Sequence, residues 1–252
     1  MHLTGRDGIS ILQLIVYVPF LVIIWIACWR HGFRRSAGWV LILIFCLLRI
    51  VGSICELCAR SHPSKDLIIA VVVLDSIGIS PLMLATLGLL SRLTNLIRKE
   101  IEVTLEPKLS RLTHIVVSVA VILSIVGSAS SSDPNHPKST SRVGVCLYLA
   151  ALAGCVLLLA LSWGKLRHCQ NIPRRERLAV VVVGIASPLL LIRIVYSASS
   201  VLANSSVFNL VKGSISAKVC MAVIEEIIIV VMYASYGWYL NPLKDVQGAS
   251  PL

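Results

Sequence analysis

Long apolar runs, separated by short clusters of Lys, Arg, Ser, Pro and Gly, recur along the whole chain. A helix that crosses about 30 Å of hydrocarbon at about 1.5 Å per residue needs roughly 20 apolar residues. The pattern predicts seven such helices, over 9–29, 37–59, 67–91, 112–130, 143–163, 178–202 and 216–240. The first run lacks the small-residue cleavage site of a signal peptide and exceeds its usual length, so it is read as a helix. None of the runs alternates with period 2, as a membrane strand would. No internal repeat of the kind that organises many transporters is visible. The expectation is an all-α polytopic integral membrane protein, a seven-transmembrane-helix bundle filling residues 1–252 as a single membrane domain.

Apart from His114 and Lys218 at helix mouths, six charged residues interrupt these runs: Arg49 and Glu56 in the second, Asp75 in the third, Arg193 in the sixth, and Glu225 and Glu226 in the seventh. Such groups are costly within a bilayer and usually functional. Counted along their helices, Arg49, Asp75, Arg193 and the Glu pair lie roughly 12–15 Å from one membrane face, with Glu56 shallower. Helices of opposite direction bring them to one level, where isolated charges are not tolerated, so they are expected to meet. Arg49 and Glu56 share a helix face with Gly52 and Ser53 between them. Arg193 shares a face with Tyr196, and Glu226 with Tyr233. Glu225 and Glu226 diverge by about 100° and cannot point into the same narrow space. Pro19, Pro81 and Pro188 are expected to bend their helices or free carbonyls.

Two roles fit these residues. One is an ionic network that fixes helix packing, with Arg49 paired to Asp75 or Glu56 and Arg193 to a Glu. The other follows from four carboxyls facing two Arg. At least one carboxyl lacks a cation, stays protonated in apolar surroundings and becomes a general acid. Glu226 and Asp75 lead that assignment because they sit deepest and Tyr233 shares the face of Glu226. Glu225 and Glu56 follow. Arg49, Arg193, Tyr196 and Tyr233 are candidates for lining a substrate.

Composition agrees with a membrane protein and excludes other classes. Hydrophobic residues make up 57% of the chain and charged residues only 14%, against about a quarter charged in soluble domains. A net charge of +11 would suggest nucleic acid for a soluble protein, but here it marks cytoplasmic loops. The loops after the first, third and fifth runs, with the C-terminal tail, hold 14 Lys and Arg, and the opposite side holds 7. The excess predicts a lumenal N-terminus and a cytoplasmic C-terminus, with the endoplasmic reticulum as the expected membrane. Trp29, Trp39, Trp163, Trp238 and Tyr239 fall at the predicted cytoplasmic ends, as an interfacial belt would. The sequon Asn204-Ser205-Ser206 lies on the opposite side, where glycosylation occurs.

The loop Arg92–Arg111 is read as a solvated face touching anionic lipid, and Ser131–Ser141 as an ordinary lumenal loop. The eight Cys show neither ligand spacing nor a disulfide framework, and Cys55 and Cys58 are read as small apolar residues. No metal-binding His pair, Gly-rich phosphate loop, nucleophile elbow or Asp-rich diphosphate motif is visible. Neither a metal nor a cofactor is therefore expected.

Three stretches, LLRIVGSICEL (47–57), LDSIGISPLMLATLGLL (74–90) and RIVYS (193–197), resemble a group of fungal seven-helix membrane proteins. That group includes the membrane-bound terpene cyclases of the ascochlorin, ascofuranone and macrophorin pathways. The resemblance implies secondary metabolism. A farnesyl or epoxyfarnesyl chain on a meroterpenoid precursor is protonated and cyclised by isomerase- or lyase-type chemistry without metal. The partners would be a lipophilic prenylated substrate, entering from the bilayer, and membrane lipids. The rival reading is a seven-helix transporter or sensor of lipids or small molecules, whose carboxylates bind a cation or relay protons. A structural membrane subunit is a third.

The charge split carries a topology test. A tag at Leu252 should resist external protease in sealed vesicles whose cytoplasmic face points inward, and be cut in vesicles of the opposite orientation. The reverse pattern would overturn the orientation.

Overall fold

The computed structural model describes residues 5–31, 37–61, 64–100, 105–129, 139–166, 172–202 and 219–239. They form α1 (Gly5–His31), α2 (Ala37–Ser61), α3 (Lys65–Ile77), α4 (Ile79–Glu100), α5 (Leu105–Ala129), α6 (Ser139–Leu166) and α7 (Arg174–Leu202). A π-helical turn, Val219–Val223, leads directly into α8 (Ile224–Tyr239). The expected sequon at Asn204, most of the Ser131–Ser141 loop, both termini and the outermost residues of the fourth and seventh runs lie outside the described residues.

Seven rods correspond to the seven runs, with one correction. The third run is two helices, α3 and α4, parted at Gly78. The local cause is Pro81, which has no N–H to give the carbonyl of Ile77, and whose ring crowds it. The Ser80 hydroxyl donates to that carbonyl instead, at 2.7 Å. Beyond the break α4 runs on to Glu100, and α5 begins at Leu105, so most of the segment read as a basic loop is helical.

α4 is buried on nearly every side from Ile79 to Leu90, between α2, α5, α6 and α7. α1 packs on α2, α5 on α6, and α8 closes the bundle between α7 and α1. Glycines allow a close approach between α2 and α4, where a Cβ on Gly88 would lie 3.2 Å from the Gly38 Cα. Small residues let helix backbones touch in this way inside membranes.

The outer surface of the bundle displays Ile15 (65% exposed), Leu112, Ile115, Ile122 and Val22, while Gln13, Arg49, Thr86, Arg193 and Glu226 are buried within a mainly apolar core. So much exposed apolar surface, with charged side chains turned inward, suits hydrocarbon rather than water. Five rods are long and apolar enough to cross a membrane: Asp7–Trp29, Gly38–Ala59, Asp66–Ile97, Arg142–Leu166 and Arg174–Ser199. The chain is an all-α membrane protein.

Of the residues expected in an aromatic belt, Trp29, Trp163, Trp238 and Tyr239 are exposed near helix ends. Trp39 does not join it. Its ring is buried against Tyr236 at 6.3 Å between centroids, in space that Gly237 leaves open.

Gly88→Leu should force α2 and α4 apart, because the obstacle is backbone that cannot rotate away. Overpacking of this kind costs about 1–3 kcal/mol. A lowered unfolding temperature in detergent, with Gly88→Ala much milder, is the expected result.

Candidate functional site: a buried ring of two arginines and two carboxylates

At mid-height, four helices each contribute one charged residue to a closed ring. Arg49 on α2 donates from Nη1 to Asp75 Oδ1 on α3 at 2.7 Å and pairs through Nη2 with Glu226 Oε1 on α8. Arg193 on α7 donates from Nε to the same Glu226 Oε1 at 2.7 Å, and from Nη2 to Asp75 Oδ1 at 3.2 Å. Its Nη2 also reaches the main-chain oxygen of Asp75 at 3.3 Å. Among the described residues, two guanidiniums thus alternate with two carboxylates, and the charges cancel.

Local features of the sequence place each member. Arg49 lies at the centre of α2, about 18 Å from either end of the helix. Its guanidinium occupies the break between α3 and α4, where a Cβ on Gly78 would fall 2.8 Å from Nη2. Only glycine leaves that space. The Phe45 ring, one turn earlier on α2, lies 5.4 Å beneath Arg49, and Tyr17 meets Phe45 edge-on at 5.8 Å. Arg193 sits 5.7 Å over the Tyr196 ring. Cation–π contact of this kind suits a guanidinium removed from water.

The π-helical turn is followed at once by Glu225 and Glu226. Such turns concentrate at functional sites. Both carboxyls are buried, at 5% and 1% exposure, but only Glu226 joins the ring. Glu225 lies nearer the edge of the bundle, within electrostatic reach of Arg193 and Glu226. Four buried polar atoms in this neighbourhood have no hydrogen-bond partner among the described residues: Tyr17 Oη, Arg49 Nε, Glu225 Oε2 and Glu226 Oε2.

Several sequence expectations change here. Glu226, the preferred acid, pairs through one carboxylate oxygen with both guanidiniums. Asp75 is likewise paired to both. Glu56, expected beside Arg49, accepts instead from Ser10 of α1 at 3.1 Å. One turn away, Ser53 donates to Gln13 at 3.1 Å, so this face of α2 forms a polar seam with α1. Tyr233 shares its hydroxyl hydrogen bond with Thr86 at 2.6 Å, and the Tyr196 ring already carries Arg193. Cys55 and Cys58 are free thiols.

Sequence reading missed Gln13 and Tyr17 altogether. It also missed a second buried ion pair, Arg92 of α4 with Glu176 of α7, which is bidentate, with Nε–Oε2 at 3.2 Å. This pair lies about 25 Å along α7 from Arg193.

The ring carries its own stability test. Arg49→Met strands Asp75 and Glu226 beside Arg193 alone, and breaking a buried pair from one side costs about 3–5 kcal/mol. Arg49→Met combined with Asp75→Leu leaves one matched pair, Arg193 with Glu226, and should recover most of the loss. Thermal unfolding of the two variants in detergent measures the difference.

No curated protein and no solved structure matches the chain. A family profile described as "Domain of unknown function (DUF7702)" matches residues 3–243, nearly its full length. The ring, the break at Gly78 and the π-helical turn all lie within those residues, and the chain belongs to that DUF7702 family.

Proposed function

We propose that the chain is a membrane-bound terpene cyclase in which Glu225 protonates a prenyl chain. The observation that carries this reading is the split between the two adjacent carboxyls of α8. Glu226, with Asp75, balances the two guanidiniums, while Glu225 is buried outside that ring with its Oε2 unpartnered among the described residues. A carboxyl that the ring does not use is the one available to carry the proton a general acid requires. The acid assignment therefore moves from Glu226 to Glu225.

The chemistry balances within the site. The Glu225 O–H adds its proton to a terminal epoxide oxygen or alkene of a farnesyl-type chain. The carbon left electron-poor is attacked by the next double bond, and ring closure moves the cation along the chain. The final proton returns to the Glu225 carboxylate, so the product is an isomer of the substrate. Surrounding apolar side chains exclude water that would capture the cation. The three stretches that resemble the fungal cyclases contain Arg49, Asp75 and Arg193, three of the four ring residues. The substrate enters from the bilayer. The proposed setting is the endoplasmic reticulum, with the N-terminus lumenal, the C-terminus cytoplasmic and Asn204 glycosylated.

A second reading, a transporter or sensor, draws on the Arg92–Glu176 pair. Two ionic layers at different heights on α7 are what two gates would need.

Membranes containing the protein, incubated with a panel of prenylated epoxides, test the cyclase. Glu225→Gln keeps the shape but not the acid, and at matched protein level should lower product on the order of a hundredfold or more. Near-normal product from Glu225→Gln would remove the acid from this site. No product from the native chain on any substrate would favour the transporter.

A further inference from the structure

The four unpartnered atoms near the ring specify a ligand group. Tyr17 comes from α1, Arg49 from α2, and Glu225 and Glu226 from α8, and α1 packs against both other helices. Tyr17 is fully buried, with its hydroxyl within electrostatic reach of Glu226, Arg49 and Arg193. A buried polar group left unmade carries its full desolvation cost, and native structures keep few of them. Several in one neighbourhood mark a place where something else bonds.

Charge and hydrogen-bond capacity then narrow the class. The two guanidiniums and two carboxylates of the ring cancel among the described residues, and Glu225 carries its proton under the proposed function, so an added anion or cation would leave an unbalanced charge in apolar surroundings. The ligand group is therefore uncharged. Arg49 Nε and the Tyr17 hydroxyl each have a hydrogen to donate, and Glu226 Oε2 needs one. A hydroxyl group offers one O–H and two lone pairs, which matches one acceptor and two donors. An ether oxygen only accepts and leaves Glu226 Oε2 unmade. A hydrocarbon satisfies none of the three.

We propose that Tyr17, Arg49 and Glu226 bind the hydroxyl group of an uncharged, lipophilic alcohol. The rest of the molecule lies among the apolar side chains of the bundle. This rests on the proposed function for the neutral state of Glu225, but binding needs no reaction, since a saturated alcohol has nothing to cyclise. Glu225, on the adjacent face of α8, then lies beside the anchored molecule.

A diazirine-bearing saturated C16 alcohol, cross-linked by light to the purified full chain in detergent, reads binding without turnover. The expected result is labelling of peptides from α1 and α8 that hexadecanol competes away. Hexadecyl methyl ether, hexadecane, hexadecylamine and hexadecanoate should each compete about ten-fold less well, the scale of one lost hydrogen bond within the site. Tyr17→Phe removes no hydrogen bond made among the described residues, so it should fold normally while labelling falls several-fold. Equal competition by the ether or hydrocarbon would overturn the proposal, as would unchanged labelling of Tyr17→Phe. Stronger competition by the amine would show a site for cations and overturn it as well. An alcohol that does not label at all would mean water alone meets these atoms, which also sinks it. Product formation from prenylated epoxides is read separately, so either idea can fail while the other stands.

Discussion

Two guanidiniums with no route to water govern how this bundle is assembled. Arginine does not lose its proton in proteins, so burial cannot be relieved by neutralising it. Each guanidinium must find carboxylates, and α2 and α7 offer none at the level of Arg49 and Arg193. Asp75 on α3 and Glu226 on α8 supply them. Four helices must therefore meet at one height, and the central rod must yield where they do. Gly78 and Pro81 produce that yielding. Proline ends the hydrogen-bond ladder of α3, Ser80 occupies the released carbonyl, and glycine leaves the guanidinium its space.

Much of this was legible in the chain because it depends on local rules. Apolar run length fixes the rods, and distance along each run fixes the depth of a charge. The two together put Arg49 with Asp75 or Glu56 and Arg193 with a glutamate. What they do not carry is rotation about each rod. Glu56 shares a face with Arg49 by spacing, yet that face turns toward α1, where Ser10 and Gln13 receive it. Ser10, Gln13 and Tyr17 fall three and four residues apart, which is one helix face. Neutral polar residues scattered in an apolar run look ordinary, and only the spacing gives this face away.

The misread positions share a second cause, the ambiguity of helix ends. Trp39 has the composition and place of an interfacial residue, but Gly237 on α8 makes a slot for its ring. Arg92 looked like the first residue of a basic loop. Because α4 continues past it, its side chain stays inside the bundle and meets Glu176 on the first turn of α7. Neither contact is visible from one helix alone, since each depends on a small residue or a charge supplied by a rod distant in sequence.

The division between Glu225 and Glu226 follows from the phase of α8. Glu226, Ile229, Tyr233 and Tyr236 recur at three and four residues and form the face turned to the core. Glu226 lies at the centre of that face and Glu225 at its flank. The π-helical turn at Val219–Val223 holds one more residue per turn than an α-helix, so it shifts the phase of everything after it. That shift sets which glutamate meets the guanidiniums. Charge balance is complete once Glu226 is in place, so the next carboxyl along is not needed for packing. A buried carboxyl that the ion-pair ring does not use is an expensive feature to retain for stability alone. Glu225 is therefore the residue from which function is best sought, with the ring as the rigid frame that holds it.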